Sequence, residues 1–153
     1  MKKLDVGQVI TILANVGVIA GIVFLAFELQ QNNDLLKEQV RSGIVSGIGA
    51  SNAALYENTG GLASILFAAT RGDGITEEES FRLERFADQN LVLWQSAFRA
   101  YQDRMIEYSD LNPVGWSSVF NDLIPGMPEY FEQNRSSFDQ GFVEWMEENI
   151  VND

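Results

Sequence analysis

The stretch Val9–Phe27 reads VITILANVGVIAGIVFLAF, and it decides the architecture. Nineteen helical residues span roughly 28 Å, close to the ~30 Å hydrocarbon core of a bilayer. Twelve of the nineteen are Val, Ile, Leu or Phe. At about −0.3 to −0.6 kcal/mol each, they favour insertion by roughly 4–7 kcal/mol. Thr11 and Asn15 oppose it, but neither is charged. The stretch therefore predicts a transmembrane helix over residues 8–27, preceded by a short tail over 1–7. The competing reading is the buried core helix of a soluble protein. A cleaved signal peptide fits less well, because the apolar run is long and no small-x-small site follows it.

The faces of this helix differ. At 100° per residue, Gly7, Ala14, Gly17 and Gly21 share an arc of about 80°, with Gln8, Thr11 and Asn15 on the adjoining arc. The opposite side carries Val9, Leu13, Val16, Ala20, Val23, Phe24 and Phe27. Small residues let two backbones approach, and Gly17-x-x-x-Gly21 has the spacing that does so. An amide at Asn15 adds ~1 kcal/mol by bonding across a helix pair. Gly7, Thr11, Ala14, Asn15, Gly17 and Gly21 are thus the expected helix–helix interface, with copies of this chain or with a larger membrane complex. A polar stripe also suits a pore lining, a weaker fit for three modest side chains without charge.

The remainder, residues 28–153, reads as an acidic, all-helical domain beyond the membrane. The chain has 153 residues, with 10 Lys and Arg against 22 Asp and Glu, a net charge of −12. Setting aside Lys2, Lys3 and Asp5, 21 acids face 8 bases after the apolar stretch. Nucleic acid is excluded as a partner, because phosphate binding needs clustered Lys and Arg. Membrane lipid is contacted by the apolar helix and not by a polybasic grip. Cys and His are both absent. Disulfides, thiolate metal sites, the cysteine nucleophile and the commonest general base go with them. Lys2 and Lys3 before the helix, against Lys37 and Arg41 after it, tilt the chain slightly towards a cytoplasmic N-terminus and a periplasmic domain.

Nothing stops the helix after Phe27, so it continues to near Asn58, ahead of Gly60-Gly61. Along it Gly43, Gly47, Ala50 and Ala54 form a second small face, read as core packing inside the domain. A short apolar helix over Leu62–Thr70 follows, and Arg71-Gly-Asp-Gly74 is turn chemistry. Thr76-Glu-Glu-Glu79 is a capping box. It opens a predicted helix over Glu77–Ser109, whose stripe Leu83, Phe86, Ala87, Leu91, Trp94, Phe98, Tyr101, Met105 and Tyr108 has the period of a bundle core. Asn112-Pro113 predicts an N-cap and a proline at the first helical position, with the helix reaching Ile124 before Pro125-Gly126. Pro128 starts a short helix with Tyr130 and Phe131, and a last helix runs from about Phe138 to Val151. No strand alternation persists. The fold class is all-α: one N-terminal transmembrane helix continuing into a bundle of four to six helices.

The run Asn15–Asn33, NVGVIAGIVFLAFELQQNN, resembles the opening of a widespread group of short bacterial proteins of unknown function. In that group a helix of the form IGVIAxxxSLxFVxxQIRQNT leads into a helical domain of similar length. The Trp- and Phe-rich end around Trp116, Phe131, Phe138, Phe142 and Trp145 is also similar. The resemblance implies the fold and anchoring in a bacterial inner membrane, and it brings no activity, cofactor or catalytic residue. Glu28-Leu29-Gln30-Gln31 stands where the group often carries a basic Arg, the residue that would hold the domain in the cytoplasm.

Paired acids occur at Glu77-Glu78-Glu79 and Glu147-Glu148, but neighbours on a helix point about 100° apart and do not converge on a substrate. Glu84 with Asp88 and Asp103 with Glu107 have helical spacings without the His that a di-metal carboxylate bundle needs. No phosphate loop, serine elbow or Walker lysine is present. No catalysis, metal or cofactor is expected. The expected function is that of a single-pass structural or accessory membrane protein that assembles through its anchor. The alternative is a binding module, in which the aromatic helix Phe86–Tyr108 and Trp145 enclose an apolar small molecule or lipid.

Overall fold

The computed structural model describes residues 5–57 and 61–151. Among them there is no strand. Helix α1 runs Val6–Tyr56, 51 residues without a proline to interrupt it. The expected end near Asn58 lies outside the described residues. The chain divides into two compact units, Met1–Gln39 and Val40–Asp153.

In the first unit every residue from Asp5 to Gln39 is exposed. The 18-residue apolar window of α1 has a mean hydropathy of 2.5, and none of it is buried. This helix is long and apolar enough to cross a membrane.

The second unit is a helical bundle around α3. Helix α2 spans Leu62–Thr70 and α3 spans Glu77–Gln102. Helix α4 is Tyr108–Leu111 and α5 is Pro113–Ser118, its last turn widening into a π-helical turn over Val119–Leu123. Helix α6 is Met127–Gln133; α7 is Gln140–Met146, again widening over Glu147–Val151. Leu91, Leu111, Met127, Phe131, Phe142, Met146 and Ile150 are fully buried. Each such side chain contributes about 1.5–3 kcal/mol on leaving water.

The expected capping box is present. Thr76 Oγ1 accepts from the Glu79 amide at 3.2 Å, and Glu79 Oε2 accepts from the Thr76 amide at 2.8 Å. The backbone bond to Thr76, then the Thr76 hydroxyl, hold the Glu79 carboxyl below the usual carboxylate range. Helix α2 ends as Arg71-Gly-Asp-Gly74 predicts. Gly72 sits at φ 75°, its amide bonds Ala69 O at 3.1 Å and the Asp73 amide bonds Ala68 O at 2.9 Å. This is a Schellman ending with glycine in the left-handed position.

The predicted helix Glu77–Ser109 requires correction, because α3 stops at Gln102. The Arg104 amide bonds Tyr101 O at 2.9 Å and the Met105 amide bonds Ala100 O at 2.8 Å. The same Schellman ending recurs, but an arginine occupies the left-handed position at φ 58°. No glycine or proline announces the break, so the periodic stripe reads straight through it. The turn carries Tyr108 into α4, where Glu107 and Asp110 form a second capping box. Asn112 precedes Pro113 as expected, yet it lies at φ 48° and makes no side-chain cap bond. The last helix begins at Gln140, two residues after the expected Phe138, within the ordinary ambiguity of helix ends.

Candidate functional site

Gly7, Thr11, Ala14, Asn15, Gly17 and Gly21 all lie on the exposed helix of the first unit. A Cβ added at Gly17 or Gly21 would meet nothing within 4 Å. Nothing inside this chain therefore requires glycine at either position. Gly47 provides the contrast. A Cβ there would lie 2.8 Å from Leu93 Cδ1, so that glycine serves the packing of α1 on α3 in the second unit. The second small face thus divides: Gly47 and Ala54 serve the core as expected, whereas Gly43 and Ala50 are exposed.

The polar stripe is unevenly satisfied. Thr11 Oγ1 donates to Gly7 O at 2.9 Å, the back-bond by which a helix absorbs a threonine. Gln8 Oε1 accepts from the Asp5 amide at 3.4 Å. The Asn15 amide makes no side-chain hydrogen bond among the described residues. An amide moved into hydrocarbon without a partner costs several kcal/mol, about 4–8 in the least forgiving solvent. Of the six positions, Asn15 has the strongest need for a group from outside its own chain.

The aromatic residues pack on one another. Trp94 and Trp116 stack with centroids 5.0 Å apart and planes at 6°. Trp145 meets Trp116 edge-on at 5.6 Å and Phe98 at 5.6 Å. Phe98 in turn lies 5.9 Å from Phe142. Ring-on-ring contact thus links α3, α5 and α7 around Trp116 and Trp145.

Two features of the second unit were not legible from sequence spacing. The first is a cluster joining α3 to α6. Tyr130 Oη donates to Asp88 at 2.9 Å and accepts from Arg85 at 3.0 Å. Burial, then the bond to Asp88, raise the Tyr130 phenol above its usual range, so it stays a neutral donor. Arg85 and Tyr130 border a cleft of about 520 Å³ that also meets Leu83, Gly126 and Gln133. The triad ties α3 to α6, and the cleft beside it also meets Ser80, Glu84 and Glu129. The second is an apolar hollow of about 680 Å³ bordered by Leu55, Tyr56, Leu66, Phe67 and Leu123. Several of the carboxylates are held in ion pairs. Glu78 pairs with Arg82 at 2.8 Å, Arg99 with Asp139 at 2.5 Å, and Glu147 with Arg135. Among the described residues no three acids gather as a metal site.

No family model matches this chain, and no curated protein or solved structure matches it either.

Proposed function

We propose that this chain is a single-pass membrane protein with a structural or accessory role, assembling through its anchor helix with copies of itself or within a larger membrane complex. The observation that carries the reading is the fully exposed apolar window of α1. Side chains that a soluble fold would bury lie open along the helix, among them Ile19, Ile22 and Phe24 at 61–62% exposure. A bilayer supplies apolar surroundings for them. Gly17 and Gly21, open to any neighbour, and the unsatisfied Asn15 amide supply the reason for a helix partner. The resemblance of Asn15–Asn33 supports a bacterial inner membrane, and the flanking charges lean slightly towards the acidic unit on its periplasmic face.

The test is the double change Gly17→Leu with Gly21→Leu, expressed in the membrane and extracted in mild detergent. The wild type should migrate as an assembly and the variant as a single chain. An unchanged assembly size refutes the reading. A second reading, uptake of an apolar small molecule or lipid, draws support from the hollow beside Phe67, which is itself 67% exposed. Native mass spectrometry should then find a bound molecule that Phe67→Glu displaces.

A further inference from the structure

The first unit carries a longer pattern than its glycines. Gln8, Asn15, Ile22, Leu29 and Leu36 recur every seventh residue, as do Thr11, Val18, Leu25, Asn32 and Gln39. Together they take the a and d spacing of a left-handed coiled coil, with Val18, Ile22, Leu25, Leu29 and Leu36 apolar and the other five polar. The position before the first three a residues carries Gly7, Ala14 and Gly21, which flank the seam and let the backbones close, while Gly17 lies off it; Glu28 and Leu35 precede the last two. The seam continues beyond the apolar stretch. Leu29 is 63% and Leu36 48% exposed among the described residues.

We propose that a second copy of this chain covers this face, forming a parallel two-stranded coil from Gln8 to Gln39 that continues out of the membrane. The proposal rests on the anchoring reading above and names its partner. Copies of a single-pass protein insert the same way round, so the pairing is parallel and equal residues meet. The polar seam residues suit that symmetry, because a carboxamide both donates and accepts and so pairs with itself. Asn15 at an a position would set register and copy number. Where one helix's flanking residue meets its partner five positions on, the pairs are Gly21 with Ala26 and Glu28 with Asn33, so no like charges oppose. The area is sufficient. The seam is about 48 Å long, and a third of the circumference of a helix about 11 Å across is roughly 11 Å wide. That covers roughly 550 Å² per copy and 1,100 Å² in all, above the about 1,000 Å² that a specific interface needs.

The chain contains no cysteine, so single cysteines report without background. Each residue from Glu28 to Gln39, and separately Thr11, Asn15 and Val18, is replaced in turn by cysteine in the full-length protein, and disulfide formation is read in native membranes. Yields at Leu29, Asn32, Leu36 and Gln39 should exceed those at Gln30, Gln31, Asp34 and Glu38 several-fold. Leu29→Glu with Leu36→Glu should abolish cross-linking through Asn32→Cys while leaving the second unit's unfolding unchanged. Even yields around the helix overturn the proposal. Self-cross-links confined to cysteines at Thr11, Asn15 or Val18 also overturn it, though they leave assembly through the anchor standing. Adducts only to other chains overturn it in favour of a host complex.

Discussion

Two lysines placed on the side of α1 away from the glycines should remove the protein from the membrane without disturbing its fold. Val16 and Ile19 lie near the middle of the apolar stretch, 56% and 62% exposed, outside the arc of Gly17 and Gly21. Each exchange gives up about 0.3–0.6 kcal/mol of insertion energy and adds about 2.5–3.5, so Val16→Lys with Ile19→Lys costs roughly 6–8 kcal/mol. The twelve aliphatic and phenylalanine side chains supply roughly 4–7 kcal/mol. The double variant should therefore lose most of its carbonate-resistant membrane fraction, and either single variant only part of it. Because neither side chain is buried, urea unfolding of the second unit, followed by tryptophan fluorescence, should move by less than about 0.5 kcal/mol. A double variant as carbonate-resistant as the wild type would refute the anchoring reasoning. A large loss of stability would show instead that the helix is part of the folded core.

Replacing Arg104 by glycine should raise the unfolding free energy read from urea titration by up to about 1 kcal/mol, since a side chain in the left-handed region costs roughly 1–2; Gly72→Ala should lower it by a similar amount. Ser51 Oγ donates to Asn90 Oδ1 at 2.9 Å in the core. Ser51→Ala leaves that oxygen without its donor and should cost about 1–3 kcal/mol in the same assay. The Arg99 guanidinium, by hydrogen bond and then by charge, holds the Asp139 carboxyl below its ordinary 3.8. A depressed carboxylate contributes stability above the unfolded value, and that stability disappears as pH falls through the lower folded value. The advantage of the wild type over Asp139→Asn, measured as the difference in urea midpoint, should be constant from pH 7 to about 5 and shrink below about 4.

The two Schellman endings show why one turn was legible and the other was not. They share the same pair of backbone bonds, but Gly72 declares its left-handed conformation chemically and Arg104 does not. An arginine is held there by the burial of what surrounds it: Ile106 and Leu111 just beyond are both buried. Likewise Tyr130 and Asp88 are separated by 42 residues, a distance no periodicity bridges. Gly17 and Gly47 look alike in sequence, each in a stripe of small residues. Only Leu93 distinguishes the glycine already used for packing from the one left open.

What the amino-acid order determined by itself is what short-range chemistry controls. Length and hydropathy over Val9–Phe27, the uninterrupted α1, the Thr76 cap, Pro113 at a helix start and Gly126 at a break all act within a few residues. The tertiary structure decided where burial competes with local preference. It ended α3 at Gln102, closed the tryptophans on one another and left the apolar face of α1 uncovered. The physical reason is that caps and turns are made by neighbours in the chain, whereas burial is a property of whatever else the fold brings alongside.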